Sequence, residues 1–284
     1  MKLSAYLFFA LLLLSVRIFA ADIASGVQNS GPGHVMPNGN SGYVELGLAA
    51  GYFDSPLKYA PQKNDEFLIS PIVSGEYHHG KLFFEASQAS QDGVSLGYTA
   101  FENNNISVDI LAASINNAIN EQDKPNNDGS VQSRRERKLL SRESIYSGSG
   151  VRITSHLSNV ILQYRLVTDT FAAHGYTSTL RVGRGWQVRN WNFHAILSAQ
   201  YTSAKTNDYW YGIDADETTI NFPEYQANSS LTYTGLIGFA YPIDEHWVFR
   251  SFAAFAQLPN EVTDSPLIAS DDVSIIFSTI NYVF

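Results

Sequence analysis

The sequence has 284 residues, no cysteine and a formal net charge of −9. Disulfides and thiolate metal sites are therefore impossible, and the acidic balance argues against a nucleic-acid binder, which would carry a basic face. Aromatics are abundant, with 16 Tyr, 17 Phe and 4 Trp, although mean hydropathy is near neutral at −0.12.

Met1-Lys2 is followed by an apolar run from Leu3 to Val16, then by Arg17-Ile18-Phe19-Ala20-Ala21. A basic start, a short apolar core and a small-residue exit predict a secretory signal peptide over 1–21, cleaved near Ala20 or Ala21. No Cys stands near that point, so no lipid is attached there. Residues 22–41 are rich in Gly, Asn, Ser and Pro and read as a flexible periplasmic leader. Beyond the signal no run of 18 or more apolar residues occurs, so helical membrane spans are not expected.

From residue 42 to 284 the chain alternates with a period of two, the side-chain period of a β-strand. Val44, Leu46, Leu48, Ala50 and Tyr52 form one stripe, opposite Glu45 and small residues. Val160, Leu162, Tyr164 and Leu166 alternate with Ile161, Gln163 and Arg165. Trp191, Phe193, Ala195, Leu197, Ala199 and Tyr201 alternate with polar residues, and Leu231 to Tyr241 repeats the pattern. Twelve strands are predicted, near 42–52, 66–79, 81–87, 92–101, 105–115, 144–157, 160–168, 175–187, 191–203, 231–241, 247–258 and 273–284. Their connections alternate between short turns and longer polar loops, of which 53–65, 116–143, 204–230 and 259–272 are the longest. Stripes of this length and sorted loops predict an all-β fold, a single antiparallel transmembrane barrel of about 12 strands in a Gram-negative outer membrane. An even strand count puts both termini on the periplasmic side.

The last strand carries Ile276, Ser278, Ile280, Tyr282 and Phe284 on one face. An apolar stripe ending on an aromatic suits a lipid contact, with the final ring at the membrane boundary. Ile280, Tyr282 and Phe284 are the expected signal for the barrel-assembly machinery.

Several segments also resemble the MipA/OmpV family of outer-membrane proteins, named after MltA-interacting protein. They are Gly42 to Tyr52 in the first strand, Phe67 to Tyr77, and His174-Gly175 leading to Leu180-Arg-Val-Gly-Arg-Gly-Trp186. Asp264-Ser265-Pro266-Leu267, followed by the Phe-terminated strand, completes the set. The resemblance implies a non-enzymatic barrel without cofactors. It also implies roles in scaffolding between a murein transglycosylase and a peptidoglycan synthase, or in surface interaction and envelope stress. Arg134-Arg135-Glu136-Arg137-Lys138 departs from that family pattern.

Four constellations could carry chemistry. His156-Leu157-Ser158 has the His-x-Ser spacing of outer-membrane lipid hydrolases, but it falls beside a turn on the side away from the outer leaflet. Adjacent His78 and His79 point apart, which is poor geometry for a shared metal. Asp214, Asp216, Glu217 and Glu224 could suggest an acidic protease rim, although that loop has no His. Arg134, Arg135, Arg137, Lys138 and Arg142 could pair with lipopolysaccharide phosphates or simply be solvated. The inferred lumen face carries Glu45, Glu85, Asp109, Arg152, Gln163, Arg165, Arg181, His194 and Arg250. Charges of both signs inside a barrel predict pairing that fills the lumen, with a narrow solute channel as the alternative.

Overall fold

A computed structural model describes residues 41–58, 67–86, 94–103, 105–118, 136, 139, 143–170 and 175–284. The expected signal peptide over 1–21, the expected leader up to residue 40, and Arg134, Arg135, Arg137, Lys138 and Arg142 lie outside these residues, whereas Ser41, expected to end the leader, begins the first strand. Twelve strands form one closed antiparallel barrel, each paired with its sequence neighbours. They are β1 Ser41–Phe53, β2 Leu68–His79, β3 Leu82–Ala86, β4 Val94–Glu102, β5 Ile106–Ala118 and β6 Glu143–Leu157. The circuit continues with β7 Val160–Asp169, β8 Tyr176–Val188, β9 Trp191–Thr202, β10 Ser230–Pro242, β11 Trp247–Gln257 and β12 Asp272–Val283. β12 closes the barrel against β1 with Leu48 opposite Ile280 and Leu46 opposite Tyr282. The predicted count and closure hold, and the ring of paired strands leaves no open sheet, which is what lipid demands of a spanning fold.

Alternation sorts the two faces as the sequence indicated. Val44, Leu46, Leu48, Leu197, Tyr233, Ile237, Ile276 and Ile280 are exposed on the outer surface, while Glu45, Ala49, Ile196, Leu236, Phe277 and Thr279 are buried inside. Rings gather at the short-turn end of the outer face. Trp191 lies 4.7 Å from Tyr241, 5.2 Å from Phe239 and 6.2 Å from Phe193, which in turn stacks on Trp186 at 6.2 Å. Tyr282 contacts His246, Trp247 and Phe284 at 5.2, 5.2 and 4.8 Å. Both clusters form the aromatic girdle of a membrane interface.

The hairpin turns at that end are two residues long at three places. Gly80, Ser158 and Arg189 take the first position with φ of 58°, 54° and 53°. That left-handed conformation gives the turn a twist matching the strands it joins. At the corner between β10 and β11, Asp244 Oδ1 accepts the backbone N–H groups of His246 and Trp247, both at 2.8 Å. These bonds hold the Asp244 carboxyl below the ordinary carboxylate range. The carboxylate's contribution is therefore complete above the unfolded-state pKa and lost as pH falls through the depressed value. Lowering the pH should leave this corner intact through the range where free carboxylates titrate and release the His246 amide only below it. NMR titration of that amide in detergent micelles reads the order, and Asp244→Asn should abolish the transition.

Helices α1 at Ala204–Tyr211 and α2 at Asn260–Thr263 interrupt two of the long loops. Both stretches fall in segments expected from the sequence to be loops, 204–230 and 259–272. α1 is mostly polar and, although Ser203 stands at its N-cap, no side-chain cap bond forms there, so the local signals of a helix are weak. Tertiary contacts hold it instead. Asn207 Nδ2 donates to the Asn228 carbonyl at 2.7 Å and to Ser230 Oγ at 2.8 Å, and Ser203 Oγ accepts the Tyr176 N–H at 3.0 Å.

Candidate functional site: the barrel lumen and its outer cap

The side chains that alternation turned inward meet in a charged layer. Arg152 on β6 is its centre. Its Nη1 and Nη2 reach the two oxygens of Glu85 on β3 at 2.8 and 2.9 Å, and its Nε donates to Asp109 Oδ2 on β5 at 2.8 Å. The fork geometry makes the Glu85 contact bidentate, the strongest form of such a pair. Asp109 also accepts Thr99 Oγ1 at 2.9 Å, and the guanidinium lies 4.9 Å from the centre of the Phe83 ring. Phe83 fits because Gly97 faces it: a Cβ there would stand 2.0 Å from Phe83 Cζ. A second pair joins Arg250 on β11 to Glu45 on β1 at 2.6 Å, with Ser74 Oγ donating to the same Glu45 oxygen at 3.3 Å.

Between the two ion pairs run polar neighbours of the same layer. Gln163 Nε2 donates to Thr154 Oγ1 at 3.1 Å, and Arg181 Nη1 faces Gln163 Oε1 at 3.5 Å. Arg165 and His194 are buried beside them, with His194 against Gly238. All nine residues expected on the lumen face are there. Packing around them is dense: Asn281 is 0 % exposed, and Gln163, Arg181 and Ile196 are each 1 % exposed. Alongside this layer lies an apolar band of Ala49, Leu68, Ile161, Ile196, Leu236, Ala254, Ile275 and Phe277.

The long loops meet over the opposite end. Leu139, Ile213, Phe222 and Leu267 form a buried cluster, with Leu57 and Tyr225 packed on it. Backbone bridges join Leu57 to Ile268 and Ile213 to Tyr225. Tyr225 Oη donates to the Glu261 carbonyl at 2.9 Å, and Ser265 Oγ donates to the Tyr211 carbonyl at 2.7 Å. Asn221 Nδ2 donates to Glu136 Oε1 at 3.0 Å. Topology gives this cap its meaning. The loop bearing Leu139 rises between β5 and β6, and that bearing Leu267 rises between β11 and β12, six positions away in a ring of twelve. A shared cluster thus requires the loops to cross the mouth. The cap is not among the features expected from the sequence; its signal there is the isolated apolar residues Ile213, Phe222 and Leu267 inside polar stretches.

The other expected sites are scattered. His156 sits at the end of β6, whereas Ser158 is an exposed turn residue in left-handed conformation, so the two do not share one strand face. His78 turns inward to Glu76 at 2.5 Å and to the Phe83 ring at 5.7 Å, while His79 is exposed. Among the described residues, no group of three or more His, Asp or Glu side chains is placed to hold a metal. Asp214 caps a local turn, accepting Thr218 Oγ1 through its carbonyl at 3.1 Å. Within the Arg-rich run, Glu136 is buried in the cap.

A closed antiparallel barrel with a lipid-facing apolar surface and an aromatic girdle is an outer-membrane protein. The sequence profile described as MltA-interacting protein MipA matches residues 46–284. The chain belongs to that family. Among curated relatives, outer membrane protein Omp26La of Vibrio anguillarum is 29% identical over 84 residues, 30% of this chain and 33% of that protein. Putative outer membrane protein YiaT of Escherichia coli K12 is 28% identical over 114 residues, 39% of this chain and 46% of that one. The matched stretches thus span less than half the length of these relatives. Of solved structures, the loop L8 deletion mutant of OmpT from Vibrio cholerae superposes with a TM-score of 0.41 at 7% identity, covering 86% of this chain and 99% of that one.

Proposed function

We propose that this protein is a non-enzymatic, sealed outer-membrane barrel that acts through its two ends, as a scaffold or surface-interaction protein. The observation that carries this reading is the double closure of the lumen: a buried Arg152–Glu85–Asp109 layer inside and loops that cross the mouth above it. A solute channel needs a wet path, and buried lumen side chains work against one. The cap, with Ile220 86 % exposed at its surface, offers the outward-facing contact.

On the periplasmic side the family's own description points to a murein transglycosylase as partner. The short turns are small surfaces, so such an interface would be modest and would draw on residues 22–41. Capture of murein transglycosylase and peptidoglycan synthase from detergent-solubilised membranes by the intact protein is the expected result. Deleting residues 22–41 should reduce that capture while leaving barrel insertion unchanged. Equal recovery of both enzymes by an unrelated barrel would remove the scaffold reading. The Arg134, Arg135, Arg137, Lys138 and Arg142 cluster and the Ile280, Tyr282 and Phe284 stripe fit lipopolysaccharide contact and assembly-machinery recognition, respectively, as part of the same proposal. Phe284 is suited to the second role, being 68 % exposed while its N–H is fixed to the Val44 carbonyl at 2.9 Å.

A further inference from the structure

One charged side chain stands on the lipid face of the wall. Along β8 the outward series runs Leu180, Val182, Arg184, Trp186 and Val188, while Arg181 and Gly183 turn inward. Arg184 is exposed, and its partner across to β9 is Ala195, also on the outward face. Among the described residues, no other Asp, Glu, Lys or Arg faces outward between the two ends of a strand. A guanidinium on the lipid face costs free energy that grows with its depth. A charge kept there calls for a partner.

Its depth matches the head-group layer of the periplasmic leaflet. Arg184 lies four residues before Val188, where the hairpin turns, which is about 10 Å along the membrane normal for a tilted strand. Trp186 stands one outward position nearer the turn and stacks on Phe193 within the girdle. On the other side, β7 pairs Ile161 with Gly183, so Val160 comes level with Arg184 and the exposed Ser158–Asn159 turn lies just beyond. Arg184 is thus set at the inner margin of the girdle. Its stem can lie along the apolar wall while the guanidinium reaches the phosphates.

This chain supplies no carboxylate to it. Among the described residues Arg184 has no ion pair. The β8–β9 hairpin, 176–202, contains Arg181, Arg184 and Arg189 but no Asp or Glu. A second copy packed wall to wall would bring none either, since the described outward faces hold no acid between their ends. What the bilayer brings to this level is phosphate. A guanidinium fork fits a pair of phosphate oxygens, and an indole at head-group depth forms an amphipathic rim beside it. Arg189, exposed in the turn of the same hairpin, biases the place toward a head group of net negative charge. We propose that Arg184, flanked by Trp186 and the Ser158–Asn159 turn, binds the phosphodiester of an anionic phospholipid in the periplasmic leaflet.

Native mass spectrometry of the full chain in a non-ionic detergent tests this, with phosphatidylglycerol or phosphatidylcholine added stepwise. The native protein should retain one phosphatidylglycerol at a concentration roughly fivefold to tenfold below that needed for phosphatidylcholine, the scale of one or two cations acting at a head group. Arg184→Gln should abolish that difference, and excess inorganic phosphate should leave the lipid bound. Heat-dependent electrophoretic mobility first confirms that the variant folds; if Arg184→Gln does not, Arg184→Leu, which suits a lipid-facing position, carries the same comparison. Equal retention of phosphatidylglycerol by the variant and the native protein would overturn the proposal. So would equal retention of the two lipids by the native protein, or displacement by inorganic phosphate, which would mean a site for free anions.

Discussion

Arg152→Met should destabilise the barrel by about 3–5 kcal/mol, the usual consequence of removing one partner from a buried ion pair. Two carboxylates depend on this guanidinium, and Glu85, Asp109 and Arg152 are all at least nine-tenths buried. Without it, both acids must either stay charged in a poorly solvated layer or take up protons. Urea midpoints of protein refolded in vesicles give the change. A triple variant that adds Glu85→Gln and Asp109→Asn removes the orphaned charge and should recover most of the loss. The size of the single-variant effect separates two pictures of the lumen. A solvated pair is worth about 0–1 kcal/mol, so a small loss would mean that water reaches Arg152.

Leu139→Asp should open the outer cap without opening the barrel. Leu139 is fully buried with Ile213, Phe222 and Leu267, and truncating a leucine in such a site alone costs about 2–5 kcal/mol. A carboxylate there adds its own desolvation. The wall strands share none of these residues, so the loss should be confined to the loops. Limited proteolysis of intact cells or outward-facing vesicles should then cut between β9 and β10, while heat-dependent mobility of the barrel stays as in the native protein. Loss of barrel assembly in this variant would show that cap and wall fold as one unit.

The fold was legible because a membrane barrel writes its two faces into every strand. Lipid requires apolar side chains at alternate positions, and the lumen needs none, so Leu231 to Tyr241 or Trp191 to Tyr201 announce both strand and orientation. The same alternation identified all nine lumen residues, since a charge opposite a lipid-facing stripe has only one place to go. Which of them pair was not legible. Arg152 and Glu85 lie 67 positions apart and three strands around the wall, and only the curvature of the wall brings them together across the lumen. The cap was hidden for a related reason. Loop residues follow no period, so Phe222 and Leu267 gave no pattern, and their partner Leu139 comes from the opposite wall. The helix at Ala204–Tyr211 depends on Asn207 and Ser203 meeting strand ends, a tertiary effect invisible in local propensity.

Closure of the lumen is the central claim, and single-channel recording in a planar bilayer tests it most directly. The purified full-length protein should insert without discrete conductance steps. Only Arg152→Met combined with Leu139→Asp, which removes both closures, should introduce them. Regular steps from the native protein, with a unitary conductance that persists at low voltage, would contradict a sealed barrel and make the solute-channel reading the correct one.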